Sequence, residues 1–406
     1  MSSPTGTPVP ASARFARLPS LTGMRFFAAF MVFLFHSTLP PYTPFTGGTA
    51  VSVTHAVSKA GWLGVGFFFV LSGFVLTWSA RPGDRPRQFW RRRFMKIYPN
   101  HVVTFFIALA LFAYMKATWT AGISNLFLLH TWIPDAKVFQ SINPPAWSLS
   151  VEAVFYLCFP LLHRAIQRIR PERLWLWVGI LAAAVVAVPA VAYAVLPDSP
   201  AMPLKFEASV WQYWFVWQLP PFRILEFAVG ILMARIVMTG RWIKFPVLPA
   251  LALVAVAYVV ELKWVPWLYA MSAVTLIPVA LLIAAMASTD IAGRPSFLRK
   301  RVFVWLGEVS FAFYLVHDIT VHVFVDRFGL SASHSAPVAA GILASEVLIS
   351  VFFSWLLFIG VEQPLMKRFA RSRPAQPSGA AGGAGGAGGA GSAEPDGRPA
   401  EAVRTH

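Results

Sequence analysis

Leu174-Trp175-Leu176-Trp177-Val178-Gly179-Ile180-Leu181-Ala182-Ala183-Ala184-Val185-Val186-Ala187-Val188-Pro189-Ala190-Val191-Ala192-Tyr193-Ala194-Val195-Leu196 contains no charged side chain. A helix needs about 20 mainly apolar residues to cross the hydrocarbon core of a bilayer. This stretch is long enough, and the preceding Arg164, Arg168, Arg170 and Arg173 are the kind of basic flank that holds a span's end on the inner side. Comparable stretches recur along the chain, near 22–39, 62–80, 99–116, 146–163, 219–238, 246–261, 267–287, 303–325 and 337–361. The sequence therefore predicts an all-α, polytopic transmembrane bundle of about ten spans. The stretch 246–261 is short enough to be re-entrant, and 118–134, aromatic but interrupted, reads as interfacial.

Composition agrees. The 406 residues are 57% hydrophobic, 15% aromatic and only 13% charged. A soluble domain carries about 25% charged residues, so this chain cannot cover a water-facing surface of its size. The formal charge of +17 would suit nucleic acid if the cations formed one patch. They sit instead in short clusters between apolar stretches, which is how membrane proteins orient themselves, and no nucleic-acid partner is expected. With the N-terminus inside, Lys59, Lys116, Lys137, Lys205, Lys263 and Arg327 fall outside and Arg25 and Arg223 within spans. The rest of the 34 Lys and Arg residues fall inside. The alternation holds through every loop, so both termini are expected in the cytoplasm. The first span contains Arg25 and lacks a small-residue cleavage site, so it reads as a retained helix rather than a signal peptide. Residues 1–20 and 371–406, rich in Pro, Ser, Gly and Ala, are expected to be disordered around a membrane domain of residues 21–370. The single cysteine, Cys158, makes no internal disulfide, and no metal site is expected.

Ionisable groups inside a bilayer are costly and are functional candidates by default. Here they are Arg25, His36, Glu152, Arg223, Glu226, Glu308, His317, Asp318 and Glu346. Arg25 and His36 are eleven residues apart, about 20° past three helical turns and about 16 Å along the axis. They mark one polar stripe across much of the membrane, although a snorkelling arginine and an interfacial histidine would give the same spacing. Glycines in Gly64-Val65-Gly66-Phe67-Phe68-Phe69-Val70-Leu71-Ser72-Gly73-Phe74 suit close helix packing. Arg81, Arg85, Arg87, Arg91, Arg92, Arg93 and Lys96 precede Ile97-Tyr98-Pro99; they set topology or bind an anion such as phosphate. Glu152 stands in Trp147-Ser148-Leu149-Ser150-Val151-Glu152-Ala153-Val154-Phe155-Tyr156 as a partner for an arginine or an orienting group for a histidine. Arg223 and Glu226, three apart, are expected to pair with each other. Glu308 and His317 are about 180° apart on one helix, so they cannot serve one site.

Together these motifs resemble the acyltransferase-3 family of membrane acyltransferases. The resemblance spans about residues 18–370. It rests on Arg25 and His36, Ser72-Gly73-Phe74-Val75-Leu76, the arginine cluster running into Tyr98-Pro99, and Trp147-Ser148-Leu149-Ser150-Val151-Glu152. Arg223-Ile224-Leu225-Glu226-Phe227 and Phe313-Tyr314-Leu315-Val316-His317 add to it. It implies a bacterial inner-membrane O-acyltransferase that draws acyl-CoA, in the first instance acetyl-CoA, from the cytoplasm and holds no permanent cofactor. The acceptor would be a hydroxyl of a sugar, polysaccharide or macrolide-like molecule. Arg25, Arg92, Arg93 and Lys96 would meet the donor, His36 would be the general base, and Glu152 would orient it. Ser72, Tyr98, Trp147, Ser150, Tyr156, Arg223, Glu226 and His317 complete the candidate site. The family usually has two arginines three apart in the basic cluster; here the positions are Arg93 and Lys96, and a lysine lacks the bidentate fork. The alternative function is a transporter or flippase of a polar small molecule, which would show paired internal repeats and broken helices. No such repeat is present in the sequence.

Overall fold

The computed structural model describes residues 17–369 apart from 81–82, 116, 204–205 and 330–333. Of the tails expected to be disordered, 1–20 and 371–406, residues 1–16 and 371–406 lie outside the described residues; Pro19 and Ser20 instead belong to the first helix, with Ser20 held by Asp290. Ten long helices correspond one for one to the expected spans: α1 (Pro19–Thr38), α2 (Ala60–Trp78), α3 (Pro86–Ala108), α4 (Trp147–Gln167), α5 (Leu174–Val195), α6 (Pro220–Met238), α7 (Val247–Lys263), α8 (Leu276–Ile291), α9 (Arg301–Phe328) and α10 (Ala336–Leu357). Among the described residues, eight helices are long and apolar enough to cross a membrane. The two that fall short are α6, which carries Arg223, Glu226 and Arg235, and α7, which has 17 residues.

Local chemistry sets the ends. Pro19, Pro86 and Pro220 open their helices, where a missing N–H is no loss and φ is already fixed. Gly329, in the left-handed region at φ 63°, closes α9. The main departure from expectation is at α3. The arginine cluster was expected to precede a span starting near 99, but the helix begins at Pro86 and carries Arg87, Arg91, Arg92, Arg93 and Lys96 on its first three turns. Arg, Gln, Met and Lys are good helix formers, and Pro99 is accommodated inside the helix. Residues 118–134 form no long helix; Trp119–Leu126 and His130–Trp132 are short pieces.

Glycines bring the central helices together. A Cβ on Gly73 would lie 2.0 Å from Phe227 O, and one on Gly230 2.0 Å from Val70 O, so α2 and α6 touch backbone to backbone. Gly307 does the same for α9 against α1, with Thr22 O 1.8 Å from its ideal Cβ, and Gly64 sets α2 against α1 at Ala28. Such contacts exclude every larger residue. Gly66, by contrast, faces open space. The outer helices turn apolar side chains outward: Leu248 is 77% exposed and Leu348 70%, which water would penalise and lipid does not. On α10 the buried Glu346, Ser350 and Ser354 form an inward stripe at intervals of four.

Candidate active site

The interior polar residues of α1, α2, α3, α4 and α9 meet in three adjoining cavities. A basic cavity of about 130 Å³ is lined by Arg25 of α1, Ser72 of α2, Arg93 and Lys96 of α3, and Glu152 and Tyr156 of α4. Beyond Leu76 and Arg93, which form a shared wall, lies a mouth of about 110 Å³ with Ser79, Asp84, Arg92, His163 and Arg164. On the other side, Val65 and Tyr314 separate the basic cavity from a chamber of about 660 Å³ that contains His36.

Charge in the basic cavity is unbalanced. Among the described residues, Arg25, Arg93 and Lys96 form no ion pair, and Glu152 is the one carboxylate in the wall. Glu152 Oε1 accepts from Tyr156 Oη and lies 3.5 Å from Ser72 Oγ. The Arg93 guanidinium sits over the Phe89 and Tyr156 rings, and its Nε is buried without a partner. Arg92 is engaged by Asp84, so Arg92 does not make good the fork missing at Lys96. With Glu362, close to Lys96 and Arg25, as a second carboxylate, three cations face two carboxylates, and the excess positive charge suits an anion.

The chamber contains His36, with His317 and Asp318 beside it. His36 Nδ1 lies 2.9 Å from His317 Nε2 and 3.8 Å from Asp318 Oδ1. The hydrogen bonds fix the tautomers in sequence. His317 Nδ1 is 3.2 Å from the Phe313 carbonyl oxygen, which can only accept, so this nitrogen carries the proton. His317 Nε2 is then the acceptor, and His36 Nδ1 donates to it. His36 is left with its lone pair on Nε2, which makes no hydrogen bond among the described residues, in a ring that lines the chamber. That is the arrangement a general base requires. His36, His317 and Asp318 also offer three metal-ligand atoms within 4.8 Å of one another. Two nitrogens on one tetrahedral ion with bonds of about 2.0–2.1 Å would stand about 3.3 Å apart. The 2.9 Å separation is that of a shared proton.

The expected site residues divide accordingly. Arg25, Ser72, Arg93, Lys96, Glu152 and Tyr156 share the basic cavity, and Arg92 lines the mouth. His36 and Trp147 line the chamber, with His317 behind His36. The pairing of Glu152 with His36 is corrected: the carboxylate beside His36 belongs to Asp318, because α9, not α4, crosses α1 at that level. Ser150 is buried and bonded to Thr131 and to Leu128 O. Tyr98 stacks on Phe94 and lines none of the three cavities. Arg223 and Glu226 pair as expected, 2.5 Å apart, with the guanidinium over Trp217; neither lines a cavity of the three. Tyr42 and His322 were missed. His322 Nδ1 is 3.3 Å from Asp318 Oδ2 and Nε2 is 3.0 Å from Tyr42 Oη. The i,i+4 spacing of Asp318 and His322 was the available signal.

Comparison with known proteins shows the family. The model of the acyltransferase domain family matches residues 18–359. The chain is 39% identical to the acyltransferase MdmB of Streptomyces mycarofaciens over 375 residues, covering 89% of this chain and 95% of that protein. It is 26% identical to the peptidoglycan O-acetyltransferase OatA of Listeria monocytogenes over 37% of this chain and 25% of that one. It is 21% identical to the O-acetyltransferase OatA of Staphylococcus aureus over 86% of this chain and 57% of that one. No solved structure matches the chain. A match across nearly the whole helical bundle, together with a full-length acyltransferase relative, shows that the chain belongs to the acyltransferase-3 family.

Proposed function

We propose that this protein is an acyl-CoA-dependent O-acyltransferase of the bacterial inner membrane, with His36 as the general base. The observation that carries the reading is the line of three adjoining cavities running from a basic mouth to His36. Their sizes support an assignment. Small-molecule sites hold about 300–1,000 Å³, a range that includes the chamber but not the basic cavity, which has room only for an extended chain. Coenzyme A has that shape: phosphates for Arg93, Lys96 and Arg25, a thin pantetheine arm, and a thioester at its end. The positive-inside bias supports a cytoplasmic mouth, on the side where acyl-CoA is made.

The acceptor occupies the chamber. Trp62, Trp147, Trp217 and Tyr213 give it aromatic faces, and Gln140 and Gln218 give it amides. Flat apolar faces beside a few polar groups suit the two sides of a sugar ring. This fits the sugar-bearing acceptor of the peptidoglycan O-acetyltransferase relative and also a glycosylated small molecule. His36 Nε2 takes the proton of the acceptor hydroxyl as its oxygen attacks the thioester carbonyl. His317 and Asp318 stabilise the imidazolium at Nδ1, as carboxylates do in triads.

The test is to incubate the purified protein in nanodiscs with acetyl-labelled CoA and metabolite or envelope-glycan acceptors, following product by mass spectrometry. Label should move to a hydroxyl and free CoA should appear, with His36→Ala losing at least the about 10²–10⁴-fold that a general base contributes. Passage of an unmodified acceptor across vesicles, without acyl transfer, would make the protein a transporter instead.

A further inference from the structure

If an acyl thioester arrives through the basic cavity and is attacked beside His36, its carbonyl must lie where the two cavities meet. Two residues form that shared wall, Val65 and Tyr314. Val65 has nothing to offer a negative charge, whereas Tyr314 has a hydroxyl. Tyr314 is 5% exposed, and its Oη is buried beside the Ser148 side chain, with no hydrogen bond of good geometry among the described residues. A buried hydroxyl without a well-formed hydrogen bond is costly, so one at a cavity wall with only Ser148 beside it can exchange that contact for a ligand oxygen. Ser148, also in the wall of the basic cavity, spends its own proton on Pro145 O at 3.1 Å.

The other tyrosines of the two cavities do not offer the same group. Tyr156 donates to Glu152. Tyr42 is held by His322 at 3.0 Å. Tyr213 lines the chamber away from the shared wall. Tyr314 is held in place by its own helix and its neighbours: it lies one turn before His317, with ring centroids 5.8 Å apart, and packs edge-on against Phe68.

We propose that Tyr314 is a catalytic residue, its hydroxyl donating a hydrogen bond to the thioester carbonyl oxygen as that oxygen becomes negative. The inference rests on the thioester reading above and adds the oxyanion donor. In the step, the acceptor oxygen bonds to the thioester carbon and its proton passes to His36 Nε2. The carbonyl π pair moves onto oxygen, where Tyr314 Oη–H meets it. Collapse restores the carbonyl and breaks the C–S bond, and the thiolate takes the proton from His36. The products are the ester and free CoA. The tyrosine hydroxyl donates without losing its proton and is not consumed.

Tyr314→Phe deletes the one oxygen and keeps the ring. In nanodiscs, with acetyl-CoA as donor, kcat should fall about 10²–10³-fold, the usual loss for one oxyanion donor. KM for donor and acceptor should stay within threefold, because the contact strengthens only as charge develops. A kcat within threefold of wild type, at an unchanged thermal transition, overturns the proposal and leaves the acyl-transfer reading standing. A wild-type protein that moves no acyl group from any acyl-CoA overturns both. Should Tyr314→Phe fail to fold, Tyr314→3-fluorotyrosine serves, assayed where the phenol stays protonated. The more acidic donor should raise kcat, and an unchanged kcat overturns the proposal.

Discussion

The interaction of His36 with His317 gives the most direct test of the proposed mechanism. His317→Phe preserves an aromatic ring where His317 stacks on Phe313 and on His36 but removes the acceptor 2.9 Å from His36 Nδ1. Two consequences follow. The His36 Nδ1–H loses its partner, so the ring is free to carry its proton on Nε2, where it cannot act as a base. The imidazolium formed in the transition state also loses a stabilising neighbour. A hydrogen bond to a charged group is worth about 1.5–3 kcal/mol, and each 1.36 kcal/mol is tenfold in rate, so kcat should fall about 10- to 160-fold. That loss should be smaller than for His36→Ala, since Asp318 Oδ1 still stands 3.8 Å from Nδ1. His317→Gln, whose amide oxygen can accept from Nδ1, should recover part of the loss. The assay is steady-state release of free CoA by purified protein, with melting temperatures alongside. A His317→Phe enzyme with kcat within threefold of wild type would refute the tautomer chain. So would His317→Gln being no better than His317→Phe at equal folded amounts.

Three other outcomes follow from the geometry. Arg93→Ala should raise KM for acyl-CoA about tenfold or more with little change in kcat, while Arg92→Ala should do less because Asp84 already holds that guanidinium; equal CoA binding by wild type and Arg93→Ala would make the cluster a topology signal alone. Gly230→Ala should lower the melting temperature, since its Cβ would meet Val70 O at 2.0 Å and overpacking costs about 1–3 kcal/mol; Gly66→Ala, facing open space, is the control, and equal melting of the two would show that α2 and α6 are not in close contact. Reporter fusions at Gly83 and Gly240 should read cytoplasmic and those at Gly47 and Asp198 external; an external signal at Gly240 would mean that the spans before it are miscounted.

Within a helix, the sequence was a good guide. The approximate positions of most of the long helices follow from apolar length, and the eleven-residue step from Arg25 to His36 needs only the 3.6-residue turn. Both side chains do line the cavity route. The same reasoning set Glu308 opposite His317, and the structure exposes Glu308 while burying His317. The start of α3 was not legible from hydropathy, because a helix rich in arginine has no apolar signal until it reaches the membrane, although its propensity is high.

Relations between helices were legible only in part. Two carboxylates, Glu152 and Asp318, stood in otherwise apolar helices, and either could have faced His36. Residue spacing cannot rank them, because the choice depends on which helix crosses α1 at the level of His36. That crossing is decided by Gly307, whose missing side chain lets α9 lie against α1 at Thr22. From there α9 carries His317 and Asp318 to His36. Glu152 instead meets Ser72 of α2 and the cations of α1 and α3. Its role changes with its place. Beside three cations in a narrow cavity, a carboxylate that orients Tyr156 offsets part of the positive charge. In the proposed mechanism, binding of an anionic donor then stays reversible, as turnover requires, and His36 is left to Asp318.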